Sequence, residues 1–197
     1  MKKIKIAVTG GIGSGKSSLC KLLKELQFPV FSCDEIYRTL QTSEQYLASL
    51  ENAFTGVVEN GKLNREKLSS IVFSNPTALQ KLNELSHPLI MERLHSEMDK
   101  SSSVVVFAEV PLLFEGNFQS QFDFVFVVLR NQDERIRSVS LRDGLNETQV
   151  LARIQNQFDY QSLKEEGNIF FLKNDETIST LKENVKTLLY KLGIGVS

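Results

Sequence analysis

The residues that most clearly indicate chemistry form a glycine-rich segment close to the start of the chain, residues 10–17. The segment reads Gly-Gly-Ile-Gly-Ser-Gly-Lys-Ser and fits the phosphate-binding pattern G-x-x-x-x-G-K-[ST]. Glycine lets the backbone curl and approach a phosphate closely, so that N–H groups and the positive end of a following helix face the anion. In this pattern the Lys16 ammonium lies near the β- and γ-phosphates of a nucleoside triphosphate, and the Ser17 hydroxyl binds Mg²⁺.

The segments on either side of the loop support a nucleotide site. Residues 4–8 form a short apolar run typical of a strand, and residues 16–26 carry apolar side chains at helical spacing. Strand, glycine-rich loop and helix is the context in which the pattern binds phosphate. The alternative is a glycine-rich turn that closes a strand and leaves Lys16 as a solvated surface charge, and the flanking pattern favours the site.

The rest of the chain alternates between strand and helix patterns. The strands are predicted at residues 29–31, 104–110, 122–129 and 169–172, and the helices at 34–55, 133–160 and 177–192. Between residues 32 and 101 the pattern is helical except for a turn at Asn60-Gly61, with no buried strand and with a new helix predicted after Pro88.

This alternation predicts an α/β fold. Near-continuous apolar strands suit a parallel sheet that is covered on both faces, and strands that alternate with helices are typical of a doubly wound sheet. We therefore expect a three-layer, mostly parallel sheet of about five strands, with a helical insertion at residues 34–101. Ligands bind outside the carboxyl ends of such strands, which makes Asp34, Glu109 and Glu115 candidates for the site.

The composition sets the class of protein. The chain has 197 residues, 41% hydrophobic and 24% charged, which suits one substantial globular core. A net charge of −1 gives no overall electrostatic reason to expect nucleic acid or a membrane surface as a partner. The first residues form a strand and not a signal segment, and no apolar run reaches the ~18 residues of a membrane span. Two cysteines, Cys20 and Cys33, without metal spacing, indicate reduced thiols in a cytoplasmic protein.

Several motifs taken together resemble the dephospho-coenzyme A kinase family, whose members are P-loop kinases of the nucleoside-monophosphate-kinase-like type. The matching segments are residues 8–17, 63–68 with 72–73, 87–90 (His-Pro-Leu-Ile), 111–115 (Pro-Leu-Leu-Phe-Glu) and 142–145 (Arg-Asp-Gly-Leu). They extend over nearly the whole chain. The resemblance implies transfer of the γ-phosphoryl group of ATP to the 3′-hydroxyl of dephospho-CoA, with Mg²⁺ as cofactor.

The resemblance also implies how the chain is organised. Residues 1–33, 102–132 and 168–197 would form the nucleotide-binding core, residues 34–101 would bind dephospho-CoA, and residues 133–160 would form a helical lid. The expected partners are the two small-molecule substrates, in a monomer or a weak oligomer.

The family pattern assigns roles to residues of this sequence. The residues expected to bind ATP are Gly11, Ile12, Gly13, Ser14, Gly15, Lys16, Ser17 and Ser18. Asp34 is the expected catalytic base: the family usually has Asp-Ala-Asp where this chain has Ser32-Cys33-Asp34, so the second aspartate is retained. From the residues alone the position favours an N-cap at a strand-to-helix turn over a catalytic base.

Other candidates are less sharply defined. Ser17 is the expected Mg²⁺ ligand and Glu109 an acidic group near the water molecules around the ion, although a strand-end carboxylate paired with Lys16 or a backbone donor is an alternative. The expected acceptor-binding residues are Thr9, Asp34, His87, Leu112 and Glu115. Thr9 can equally just end its strand, His87 can be a structural hydrogen-bonder at a helix start, and Glu115 can hold a loop.

Arginine is expected to stabilise the charge of the transferred phosphoryl group. Arg142 matches the family's lid motif and joins Lys16 and Asp34 as a predicted catalytic residue. A second lid arginine of the family falls at Ser138 here, and Arg135 or Arg137 can replace it. The family's Ala-Asp pair before the last strand is Asn168-Ile169 in this chain, which leaves the adenine contacts undefined.

Three other functions are consistent with a phosphate-binding loop. A kinase for a nucleoside monophosphate is disfavoured by the combination of motifs. A nucleotide-dependent switch is disfavoured because no Asn-Lys-x-Asp motif is present. A catalytically silent relative is suggested by Ser32 and Ser138 but disfavoured by the retention of four other residues, Lys16, Ser17, Asp34 and Arg142.

Overall fold

The structure, a computed structural model, describes residues 2–195. These residues form two compact units, each considered by itself: a sheet unit of residues 2–31 and 100–195, and a helical unit of residues 32–99. In chain order the elements are β1 (Ile4–Thr9), α1 (Lys16–Glu25), β2 (Val30–Ser32), α2 (Cys33–Leu40), α3 (Glu44–Ala53), β3 (Val58–Glu59), β4 (Lys62–Leu63), α4 (Arg65–Phe73), α5 (Pro76–Lys100), β5 (Val105–Glu109), β6 (Phe124–Leu129), α6 (Gln132–Asp143), α7 (Glu147–Gln155), β7 (Ile169–Lys173) and α8 (Ile178–Lys191).

The sheet has five parallel strands in the order β2-β5-β1-β6-β7. Strand β1 is central, and Val8 lies opposite Glu109 on one side and Phe126 on the other. The strands are almost wholly apolar because helices cover both faces. The parallel, doubly wound sheet predicted from the alternating pattern is thereby confirmed.

The core of the sheet unit joins the strands to α1 and α8. Its fully buried side chains include Ile6, Val8, Leu19, Leu23, Phe107, Phe126, Val128, Leu181, Val185 and Leu189. Burial of a large aliphatic or aromatic side chain contributes roughly 1.5–3 kcal/mol. This packing holds the carboxyl ends of β1, β5 and β6 beside one another, where the phosphate-binding loop leaves β1.

The helical unit has its own core, built from α3, α4 and the segments around them. Tyr46, Leu50, Phe54, Val57 and Leu68 are buried together, and the Tyr46 hydroxyl lies 2.7 Å from the Ser86 hydroxyl. The unit contains one short antiparallel hairpin, β3 with β4, which is largely exposed. This agrees with the expectation that the segment has no buried strand.

Two predicted boundaries in this unit are wrong. The helical pattern of residues 34–55 is divided into α2 and α3, because the Thr42 hydroxyl donates to the Thr39 carbonyl and Ser43 begins the next helix. Helix α5 instead continues through Pro88, where the sequence predicts a new helix. An interior proline costs about 3 kcal/mol. Burial of Met91, Leu94 and Met98 on the same helix offsets that cost.

The segment predicted as a helical lid is helical only as far as Gln155. Helix α6 ends at Gly144, whose φ of 68° provides the left-handed cap, and α7 begins with a capping box of Asn146 and Gln149. Residues 156–168 contain no helix. Within residues 2–195, no helix is both long and apolar enough to cross a membrane.

Candidate active site

The glycine-rich segment forms a loop between the central strand β1 and helix α1. Gly10, Gly13 and Gly15 have positive φ angles of 145°, 76° and 96°, which L-residues with a side chain rarely adopt. Gly15 is the N-cap of α1, and the Ser14 N–H donates to the Gly11 carbonyl over 3.2 Å. The local geometry is that of a backbone curled around a space for an anion.

Lys16 is folded back over this loop. Its ammonium donates to the carbonyls of Gly10 and Gly11, with distances of 2.8 and 3.2 Å. The side chain is half-buried, so it differs from the solvated surface charge that the sequence left as an alternative. A cation held at the mouth of the loop can move to a phosphate by small rotations of its side chain.

Ser17 and Glu109 form the pair of oxygen groups expected at a magnesium site. The Ser17 hydroxyl donates to Glu109 Oε1 over 3.4 Å. Cys20 lies close to the same carboxylate, and burial together with this negative charge raises the pKa of its thiol to about 12. Mg²⁺ usually binds one or two protein oxygens and completes its shell with water and phosphate. The described residues 2–195 contain no cluster of three or more His, Cys, Asp or Glu side chains that could hold a metal without those ligands. The pair therefore fits Mg²⁺ bound together with a nucleotide.

Helix α6 lies directly against the loop. Arg135 Nε donates to the Ile12 carbonyl over 2.9 Å, and the Ile12 N–H donates to Gln157 Oε1 over 2.7 Å. A Cβ atom at Gly13 would lie 2.7 Å from the Arg135 carbonyl oxygen, and one at Gly11 would meet the Arg135 guanidinium. Gly13 is thus required for the approach of α6 as well as for the curl, whereas at Gly11 the flexible guanidinium could move aside.

The residues that follow α7 connect two motifs that are far apart in the sequence. Glu115 accepts a hydrogen bond of 3.1 Å from the Phe158 N–H, and the Phe114 and Phe158 rings stack with centroids 4.7 Å apart. The Tyr160 hydroxyl lies 3.3 Å from that of Thr9, and burial raises the pKa of Tyr160 to about 12. Glu115 therefore holds a loop here, and Thr9, which is fully buried, is joined to Tyr160.

Asp34 belongs to the helical unit, where its surroundings answer one of the questions left by the sequence. The cap of α2 is Ser32, whose hydroxyl accepts from the Glu35 N–H over 3.4 Å. Asp34 is the second residue of the helix and is exposed. The alternative interpretation of Asp34 as the N-cap of this helix is therefore wrong, because Ser32 is the N-cap.

His87 and Leu112 are placed differently from each other. His87 lies inside α5, so the alternative that placed it at a helix start is wrong. Its ring is half-exposed, and partial burial lowers its pKa. Leu112 is 43% exposed in the turn that follows β5, although its neighbour Leu113 is fully buried. An exposed apolar side chain next to a buried one can contact a ligand without loss of core packing.

Most of the arginines between residues 130 and 153 are paired with carboxylates. Arg142 forms two hydrogen bonds with Asp143, of 2.7 and 3.0 Å, and these raise the pKa of Arg142. Ser138, which stands where the family resemblance implies an arginine, accepts a hydrogen bond of 2.8 Å from Arg130.

The sequence analysis did not single out Gln157 or Tyr160, because no local pattern marks them.

Substitution of Gly13 by alanine tests the close approach of α6. We expect Gly13→Ala to weaken nucleotide binding more than about tenfold, because both the positive φ and the backbone of Arg135 oppose a Cβ atom. Gly167→Ala is the matched control: it has a φ of 61° but no heavy atom within 4 Å of the added carbon. Equal losses of ATP affinity in the two variants, measured by titration calorimetry, would show that clearance from α6 is unimportant.

The lowered pKa of His87 predicts a pH dependence of stability. Burial favours the neutral ring in the folded protein, so below an unfolded pKa of about 6.5 the unfolded chain binds the proton more readily and stability falls. We expect His87→Gln to lose less stability than the wild type between pH 7.5 and pH 5.5 in urea unfolding. His95→Gln, on the same helix, is the control, and identical pH dependence in His87→Gln and the wild type would contradict the prediction.

Comparison with known proteins now adds to this geometry. A dephospho-CoA kinase of Thermus thermophilus is 31% identical over 187 residues, which cover 95% of this chain and 91% of that protein. A crystal structure of a T. thermophilus protein superposes with a TM-score of 0.84 at 31% identity, covering 98% and 99% of the two chains. Dephospho-CoA kinase from Campylobacter jejuni superposes with a TM-score of 0.67 at 25% identity, covering 95% and 96%.

The sequence model of the family described as dephospho-CoA kinase matches residues 4–180, which include both the phosphate-binding loop and the Arg-Asp-Gly-Leu segment. The family suggested by the motifs is therefore confirmed. The chain belongs to the dephospho-CoA kinase family.

Proposed function

We propose that this protein transfers the γ-phosphoryl group of ATP to the 3′-hydroxyl of dephospho-CoA and releases CoA and ADP, the last step of coenzyme A synthesis. The observation that carries the proposal is the loop of residues 10–17, with Lys16 folded over it, in a chain that matches the family over residues 4–180. ATP is the phosphoryl donor in this family.

The sheet unit supplies the groups for the donor. Lys16 would leave the carbonyls of Gly10 and Gly11 and bind the β- and γ-phosphates of ATP. The N–H groups of the loop would bind oxygens of the same phosphates. Ser17 directly, and Glu109 through water, would hold Mg²⁺, whose charge offsets that of the phosphates. Arg142 would exchange Asp143 for the transferred phosphoryl group, a change of partner between two anions.

The helical unit supplies the acceptor side. Asp34 is exposed and not used as a helix cap, so its carboxylate can align the ribose hydroxyl and accept its proton. We assign acceptor binding to residues 34–101 and closure over the nucleotide to residues 133–160. Closure excludes water and thereby limits wasteful hydrolysis of ATP.

We also propose that the protein works in the cytoplasm as a monomer or a weak oligomer. The support for the location is chemical: Cys20 and Cys33 are buried and form no disulfide, as is usual in a reducing compartment. The partners are the two small-molecule substrates.

An ADP-release assay with ATP and Mg²⁺ tests the proposed function. Dephospho-CoA, AMP, CMP and no acceptor are compared, and the product is identified by mass. We expect turnover with dephospho-CoA alone, because the phosphate loop, the His-Pro motif and the Pro-Leu-Leu-Phe-Glu motif together disfavour a nucleoside monophosphate kinase. Release of ADP with AMP or CMP would favour a nucleoside monophosphate kinase. No release with any acceptor would indicate a catalytically silent relative.

Asp34→Asn tests the catalytic base. We expect kcat to fall ~10²-fold or more, the size of a lost general base, while the affinity for ATP is unchanged. The matched control is Glu35→Gln, which removes the adjacent exposed carboxylate of the same helical turn and leaves its backbone bond to Ser32 intact. A rate near that of the wild type in Asp34→Asn, or an equal loss in Glu35→Gln, would exclude Asp34 as the base.

A further inference from the structure

Four of the five arginines between residues 130 and 153 form ion pairs with carboxylates of the same segment. Arg130 and Arg137 both face Glu134, at 3.1 and 3.9 Å. Arg142 and Arg153 both face Asp143, at 2.7 and 3.5 Å. Within residues 2–195, the fifth arginine of the segment, Arg135, has no carboxylate within 4.0 Å.

Arg135 is also placed where an unpaired charge is costly. Its side chain is half-buried, and burial lowers its pKa because the charged form loses water. A desolvated cation is normally balanced by an anion, and here its hydrogen-bond acceptor is the neutral carbonyl of Ile12, at 2.9 Å. The partner that would balance this charge is therefore an anion.

The phosphate loop lies directly beside the guanidinium. Nη2 of Arg135 is the first atom that a Cβ at Gly11 would meet, so the guanidinium borders the loop without any side chain between them. Arg135, Gly11 and Ser14 line one cavity of about 260 Å³ at the ends of β6 and β7. Ser14 is only 1% exposed, and its hydroxyl has no hydrogen-bond partner among residues 2–195. A buried polar atom without a partner is a second sign that a polar ligand completes this place.

We propose that Arg135 binds the phosphate chain of the nucleotide, and that its guanidinium exchanges the Ile12 carbonyl for phosphate oxygens when ATP binds. The proposal rests on the proposed function because it requires a nucleoside triphosphate bound in the loop. Guanidinium suits the task because its donors match two phosphate oxygens at once. Arg135 is thus a substrate-binding residue in addition to Lys16 and Arg142.

The loop retains an anchor when Arg135 changes partner. The Ile12 N–H remains bound to Gln157, and the Ser14 carbonyl accepts a hydrogen bond of 2.9 Å from the side-chain amide of Asn174. The exchange therefore gives up one neutral hydrogen bond for charge-assisted bonds, each of which is about twice as strong. The curled conformation of residues 10–16 does not depend on Arg135 alone.

Equilibrium binding without any acceptor tests this assignment. ATP and AMP are titrated into the wild type, Arg135→Gln, Arg135→Lys and Arg137→Gln at one fixed salt concentration, and folding is checked by thermal unfolding. Arg135→Gln keeps a donor for the Ile12 carbonyl but removes the charge. We expect its Kd for ATP to rise about tenfold to a hundredfold and its Kd for AMP to change less than about threefold. Arg135→Lys should recover much of the affinity for ATP.

Arg137→Gln separates the two arginines that the sequence left open. Arg137 is 74% exposed and paired with Glu134, so its substitution should change neither affinity. Unchanged ATP binding in Arg135→Gln, or an ATP-specific loss in Arg137→Gln, would overturn the proposal. Equal weakening of ATP and AMP would also overturn it, because it would show that Arg135 only supports Ile12. Should Arg135→Gln not fold, Arg135→Lys decides alone: a loss confined to ATP supports the proposal, because an ammonium group cannot match two phosphate oxygens at once, and unchanged ATP affinity or a loss equal for both nucleotides overturns it.

These measurements are independent of the acceptor. If the wild type binds ATP and Arg135→Gln leaves ATP binding unchanged or weakens ATP and AMP equally, the assignment of Arg135 fails while turnover of dephospho-CoA can still be observed. If turnover of dephospho-CoA is absent but the ATP-specific loss is found, the proposed function fails and the assignment of Arg135 stands.

Discussion

The constraint on which this site depends is that a loop whose backbone N–H groups face an anion must also satisfy its own carbonyl groups, which an anion cannot bind. A buried polar group without a partner costs about 1–3 kcal/mol. The chain meets this cost with its own side chains. Lys16 covers the carbonyls of Gly10 and Gly11, and Arg135 and Gln157 bind the two polar groups of Ile12.

The same contacts determine how ligand binding must proceed. Each cation proposed to stabilise phosphate is already held by another acceptor: Lys16 by backbone carbonyls, Arg142 by Asp143, and Arg135 by Ile12. With these proposed roles, binding of ATP would be an exchange of partners and not the filling of an empty charged pocket. Backbone carbonyls are the weaker acceptors, so Lys16 and Arg135 change partner at lower cost than Arg142.

The departures from the family pattern become understandable at the level of local structure. Ser32 replaces the first aspartate of the family motif and acts as the N-cap of α2, a role that Asp and Ser fill about equally well. The substitution therefore preserves the start of the helix that carries Asp34. Ser138 stands where the family resemblance implies an arginine, and it accepts a hydrogen bond from Arg130, so a guanidinium group lies beside α6 although it comes from another position.

The sequence alone determined the phosphate loop, the five strands and the family, because glycine spacing and apolar runs are local signals. The tertiary structure decided everything that depends on contacts between distant residues. Only the packing of α5 shows that Pro88 lies inside a helix, and only the return of the chain after α7 brings Gln157 to Ile12 and Phe158 to Glu115. No local pattern encodes such contacts, since the partners lie from 43 to 145 residues apart and meet only when the sheet is formed.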